Sequence, residues 1–391
     1  VVTATTLLVV FVEFGARQLP IAQLKKKPQL FLRVAIVEVA VMAATAGVAI
    51  TMGRTPPPPP RDPNLNSMQI VMGYQLTEAP SMGNMLTQFR FDILFGTIGL
   101  IRAALYAYAL WKLRQRGLSW SAGRTTWWML GSLGLTVYMS TGLGMYIPAT
   151  YSMHMLGHMA LSMVFPLLMC LGAPLTLILE AFEPGRPGKP TIHDWAVALT
   201  HSKILAFITH PIVNVLQFLF FFYVLYMSFD LYQTANSEHA GHVIMNFTFL
   251  ISGYIYFWEV VGPDPLPKRA HTPIRLAILF ASMPIHLFMG VYLMQLTEIM
   301  GLQYYLSLEI PWDHDFLQDQ KVGGGIAWGF GQFPLAIVFG KLAIDWLRED
   351  RSESKFYDAK ADVDGDADRE EYNRMLAELN KGGNQGYFRQ Q

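Results

Sequence analysis

From Met159 to Leu179 the chain reads MALSMVFPLLMCLGAPLTLIL, without one Asp, Glu, Lys, Arg or His. A continuous apolar run of this length matches the hydrocarbon core of a bilayer, which takes about 20 residues of helix to cross. A soluble helix keeps a polar face towards water and does not read this way. Comparable runs recur at about 1–15, 34–53, 91–111, 125–147, 210–230, 242–261, 274–297 and 323–346. They are continuous rather than alternating, which selects helices over a barrel. Composition agrees: the chain is 52% hydrophobic and 15% charged, against about 25% charged in an average globular domain. The expectation is an all-α, polytopic transmembrane helical bundle of about nine spans, with the lipid bilayer as its first partner.

Pro56–Pro60 form a five-proline run that no helix continues through. Residues 1–60 are therefore set apart from a seven-span part, 91–347, by an outer linker loop, 61–90, and residues 348–391 read as a polar tail. Lys and Arg gather in loops 16–33, 112–124, 183–203, 266–275 and 348–355, while loops 142–153, 231–241 and 298–322 hold only Lys321. The positive-inside rule puts the first set, and the tail, in the cytoplasm. Lys plus Arg equals Asp plus Glu at 29 each, so net charge points to no nucleic-acid partner. The chain opens on Val1 within an apolar run, which is expected of the end of a longer N-terminal part.

Several chemistries fall away. One cysteine, Cys170, makes no intramolecular disulfide and no CxxC site. No phosphate loop, GxSxG or HExxH occurs, so the chain is not read as an enzyme. DVDGDAD (362–368) fails as a calcium loop, with Ala367 at its sixth position and Asn373 at its twelfth.

Any soft-metal chemistry falls to His and Met. His193, His201, His210 and His271 lie on the basic side; His154, His158, His239, His242 and His314 lie on the other, with His286 midway along the eighth span. In a helix His154 and His158 share one face, one turn apart, with Met153, Met155 and Met159 beside them. His239 and His242 open a second, non-adjacent span at the same depth. Imidazole and thioether together suit copper, Cu(I) above all. Two other readings of these residues stand beside it: a bis-His haem, and interfacial histidines bonded to loops and headgroups. His286, within the membrane, marks either a functional position or an inter-helix hydrogen bond. Asp92 and Arg102 are expected to pair with other spans. Asp313, His314, Asp315 and Asp319 are expected in a solvated loop. Gly323–Gly325 are expected to allow close helix packing.

SMHMLGHMALSMVFPLLMCLGAPLTL, GYIYFWEVVGPDPLPKR, MPIHLFMGVYLM, DQKVGGGIAWGFGQFP and EYNRMLAEL follow one another in this order. Over about residues 91–380 the chain resembles the CtaG-type cytochrome c oxidase assembly factors, and residues 1–60 resemble the last helices of a CopD-type copper-resistance domain. The resemblance implies a multi-pass protein of the bacterial plasma membrane that handles copper at the outer face while a haem–copper oxidase is assembled. Its partners would be cytochrome c oxidase subunits and a soluble copper chaperone. It places the family's first His pair on His154 and His158, its loop His on His242 and its eighth-span His on His286. A further His is expected where Asn246, Phe247 and Thr248 stand, and a Glu where Gln332 stands. A copper transporter, with the CopD-like part moving the ion and His286 on its path, and a metal-free scaffold for an oxidase subunit remain the alternatives.

Overall fold

A computed structural model describes residues 65–387 apart from 188 and 366, together with Ile36 and Val39. The two spans expected within 1–60, and the CopD-like part they make up, lie outside the described residues. The folded unit treated below begins at Asn66.

Each of the seven apolar runs of 91–347 is a helix. These are α1 (Phe95–Gln115), α2 (Ala122–Ser140), α3 (Tyr151–Ala181), α4 (Pro211–Met227) continued by α5 (Phe229–Ser237), α6 (His239–Val260), α7 (Thr272–Gln295) and α8 (Phe316–Asp364). A last helix, α9 (Ala367–Tyr387), follows. Among the described residues α3, α6, α7 and α8 are each long and apolar enough to cross a membrane, and α4 with α5 makes a fifth span if the pair is counted as one. α1 and α2 have spanning lengths, 21 and 19 residues, but α1 carries Arg102, Lys112 and Arg114. The exposed side chains are those of a lipid-facing surface: Ile212, Leu216 and Phe220 line one stripe of α4, and Phe333 and Ile337 another on α8.

α3 is the hub, packing against α2, α6 and α8. It is not a uniform helix, and a proline explains why. Pro166 has no N–H to give the carbonyl of Ser162, so the ladder slips into a π-turn over Ala160–Val164, where the Phe165 amide bonds back to Ala160. α6 crosses at this turn with Gly253 against it; a Cβ there would come within 1.9 Å of the Ser162 carbonyl oxygen. α7 and α8 approach as closely, and a Cβ on Gly324 would meet the backbone of Met294 and Gly290. The small residues at 323–325 therefore do bring helices together.

Residues 66–90, expected as a linker loop, form short helices Ser67–Met72 and Met82–Thr87. Met68 and Leu76 are buried with Tyr146, Ala149 and Met153. The loop expected after α4 is instead helix α5, set 91° to α4. Asp92 caps α1 by accepting the amides of Phe95 and Gly96. Arg102 lies over the rings of Trp128 and Tyr254. Arg102 thus meets two other spans, as expected, through ring faces on α2 and α6, while the Asp92 carboxylate stays with its own helix start.

Candidate metal centre

The first turn of α3 is held from two sides. Thr150 accepts the amide of Met153, and Asp319 of α8 accepts those of Tyr151 and Ser152 at 2.7 and 3.2 Å. His314 Nε2 stands 3.3 Å from the same carboxylate. Asp319 and His314, expected in a solvated loop, instead clamp α8 to the start of α3, because four free amides at a helix start draw an acid.

One turn inside that clamp are His154 and His158. Both are fully buried and their ring centroids are 4.1 Å apart. His242, three residues into α6, brings its ring to 5.3 Å from that of His154. One ligand nitrogen from each of the three lies within 4.8 Å of the others. Three nitrogens about 2.0 Å from one ion sit about 3.5 Å apart, so small ring rotations close the set.

Hydrogen bonding sets these rings apart from their surroundings. Neither ring nitrogen of His154 makes a hydrogen bond of good geometry among the described residues, nor does Nε2 of His158; the Ile147 backbone is the polar neighbour of the first ring and the Asn246 side chain that of the second. A buried polar group without a partner costs roughly 1–3 kcal/mol, and binding a cation removes that cost. His158 Nδ1 is held by the Tyr226 hydroxyl at 2.7 Å, which fixes the ring and leaves Nε2 turned elsewhere, as an outer partner does for a metal-ligating His. The break between α4 and α5 places Tyr226 and Tyr232 on either side of the bend, and the Tyr232 ring packs against His154 at 5.4 Å. Tyr232 is fixed in turn by Tyr305, hydroxyl to hydroxyl at 2.8 Å.

Asn246 follows His242 by one turn. It is buried, and its Oδ1 has no hydrogen-bond partner among the described residues. Of the three positions where a further His was expected, this one faces the core as a polar residue; Thr248 bonds back to the Ile244 carbonyl. A cavity of about 280 Å3 borders His242 and Asn246, with Met72, Met145, Arg90 and Asp92 also in its wall. Burial raises the Tyr74 and Tyr304 phenols of that wall above their ordinary value, so they stay neutral, leaving Arg90 and Asp92 as its charges.

The other predicted residues lie as follows. His239 is the first residue of α6, and its side chain lies outside the described set. Met153 packs away from the cluster, against the 66–90 segment. Met155 is fully buried in the main core. Met159 turns its sulfur towards Gly331 of α8, where the His286 ring also lies. His286 is buried in the middle of α7, apart from the three-histidine group. Gln332 donates to the Met283 carbonyl at 3.1 Å, a bond an ionised Glu could not make. Sequence reasoning passed over Tyr226, Tyr232 and Phe249. Aromatic residues in apolar runs look like any lipid-facing residue until the partner helix is known.

A family model for the cytochrome c oxidase caa3 assembly factor matches residues 104–349. Uncharacterised proteins of Mycobacterium bovis and Mycobacterium tuberculosis are each 37% identical over 314 residues, 80% of this chain and 47% of the relative. One of Mycobacterium leprae is 35% identical over the same length. The chain thus spans about half the length of the curated relatives it matches. No solved structure matches it. With the family match covering most of the seven-helix part and the buried histidines within it, the chain belongs to the cytochrome c oxidase caa3 assembly factors.

Proposed function

We propose that this protein binds copper in the His154/His158/His242 pocket, at the outer face of the plasma membrane, and passes it on during assembly of a haem–copper cytochrome c oxidase. The observation that carries the reading is the pair of buried histidines with open ring nitrogens facing a third histidine from another helix. Neutral nitrogen donors suit a transition metal, and family membership supplies the oxidase. Copper is cargo here: the imidazoles hold it, Tyr226 orients one of them, and the cavity beside His242 is the way in and out. The metal comes from a soluble copper chaperone and goes to an oxidase subunit. A delivery role favours a side entrance over a transmembrane path, and below His158 the core is filled by Phe249 and Phe222.

Metal analysis of the purified protein tests this. The wild type is expected to hold copper and the His154→Ala/His158→Ala double variant to lose it. Equal copper in the two overturns the site. Retention of an oxidase subunit by a copper-free double variant would leave a scaffold in its place.

A further inference from the structure

The basic side of the bundle carries a cavity that copper handling does not use. It measures about 520 Å3 and opens where α1 and α3 end. Lys112 and Arg116 line it from the end of α1, and Glu183, Arg186 and Lys189 from the loop that follows α3. Arg116 is engaged: it donates to the Glu180 carbonyl at 2.6 Å and stands 3.9 Å from Glu183. Lys112, Arg186 and Lys189 make no ion pair among the described residues. Cations gathered without counter-charge repel one another, and an anion between them removes that cost.

The loop is folded to present its cations. Asp194 accepts the amides of Gly185 and Thr191 at 2.9 and 2.7 Å, and the Thr191 hydroxyl donates to the Glu183 carbonyl. The Lys189 amide closes on the Arg186 carbonyl at 2.9 Å. A Cβ on Gly185 would stand 2.3 Å from the Lys189 carbonyl oxygen, so glycine is what lets the turn close this tightly. The cost of ordering this loop is therefore met by the fold and not on binding.

The surroundings name the anion. Ile101, Leu105 and Tyr108 follow one face of α1 to Lys112, and they are 51, 61 and 48% exposed. An exposed apolar stripe on a helix of spanning length faces acyl chains. Trp111, 53% exposed, has the Lys112 ammonium 5.3 Å from its ring, and Tyr108 packs on Phe182 at the cavity edge. Such rings collect at the membrane–water boundary. The short helices after the loop, Ile192–Thr200 and Lys203–Ile208, leave Ile192, Leu199, Ile204 and Phe207 exposed, as helices lying in the interface do. We propose that the cavity binds the headgroup of an anionic phospholipid of the cytoplasmic leaflet, with an acyl chain along Ile101, Leu105 and Tyr108. A free phosphate ion would use the cations and leave the apolar stripe idle; a phospholipid uses both. The site shares no residue with the three-histidine pocket and does not depend on copper.

Native mass spectrometry of the purified full chain, with phosphatidylglycerol or phosphatidylcholine of matched acyl chains added, tests it. The wild type is expected to retain phosphatidylglycerol in preference. Each cation beside an anionic headgroup contributes about fivefold in affinity. Arg186→Ala/Lys189→Ala should therefore weaken that binding roughly 30-fold, and Lys112→Ala about fivefold. Lys203→Ala/Lys268→Ala removes the same charge from exposed positions outside the cavity and should leave binding unchanged. Unfolding midpoints show whether the variants are folded, and Lys112→Ala carries the test if the loop variant is not. Glycerophosphoglycerol, the headgroup without its chains, should not displace the lipid. Phosphatidylcholine held as tightly, wild-type binding in both cavity variants, or an equal loss in Lys203→Ala/Lys268→Ala overturns the site. Displacement by the chainless headgroup overturns the lipid as its occupant.

Discussion

α3 meets buried polar partners at both ends, and they are used in opposite ways. Near its C-terminal end, Asp264 from the loop after α6 accepts the Leu175 amide at 2.9 Å and the Thr176 amide and hydroxyl at 2.7 and 2.6 Å. Arg269 donates to the Asp264 and Trp258 carbonyls, and the Tyr106 hydroxyl closes on the Gly172 carbonyl. These groups answer one another, while beside them Arg269 Nε, the Trp258 indole nitrogen and both Glu259 carboxylate oxygens make no hydrogen bond of good geometry among the described residues. At the N-terminal end, Asp319 makes the same kind of cap, but one turn further in the pattern stops, and His154 and His158 keep three ring nitrogens without hydrogen bonds. A polar group that is buried and bonded does structural work; one that is buried and open has its desolvation cost uncompensated within the fold. What distinguishes the N-terminal end is that its open groups are imidazole nitrogens gathered within 4.8 Å of one another.

The largest effect on stability belongs to the bonded end. Asp264→Ala strips the cap from Leu175 and Thr176 in a buried setting, and is expected to cost about 2–3 kcal/mol. The unfolding midpoint in detergent should fall while copper per folded molecule stays constant. Loss of copper without loss of stability would erase the distinction between the two ends. Tyr226→Phe comes next. It removes one hydrogen bond, worth about 1 kcal/mol of stability, and frees the His158 ring, which is expected to weaken Cu(I) binding about 10- to 100-fold. A chelator competition measures the second effect. Unchanged affinity would mean that His158 binds nothing, or is fixed by other contacts.

How much of this could be read in advance follows the range of the forces. Each apolar run in 91–347 marked a helix, because continuity of hydrophobic residues is local information. His154 and His158 were legible as a pair from their spacing, and His242 as their partner from its equal depth in another span. Met159 reads as part of the same group because it stands beside His158 in the sequence. In the fold it follows His158 by one residue, about 100° round the helix, and its sulfur meets His286 instead. The bend at Ser228 hid for another reason. LYQTANS is polar and reads as a loop, but Ser228 caps a new helix there by accepting the Leu231 amide. That bend sets Tyr226 and Tyr232 against the histidines, so the enclosure of the site depended on a turn that local pattern did not signal. α8 also runs unbroken to Asp364, so the polar tail begins as a helix.

The smallest effect on stability is expected where the family would suggest the greatest importance. His154→Leu replaces a fully buried ring, both of whose nitrogens lack hydrogen bonds, with an apolar side chain. Only a poorly aligned approach to the Ile147 backbone is lost, and the cost of holding an unsatisfied polar group disappears. The loss of ring packing against Tyr232 works against that gain. The unfolding midpoint of the metal-free protein is therefore expected to stay within about 1 kcal/mol of wild type, while copper binding at the three-histidine pocket is lost. Calorimetry of the chelator-treated proteins checks the first half and metal analysis the second. A fall as large as that of Asp264→Ala would mean that His154 is bonded within the fold, and the N-terminal end of α3 would then be scaffold like the other.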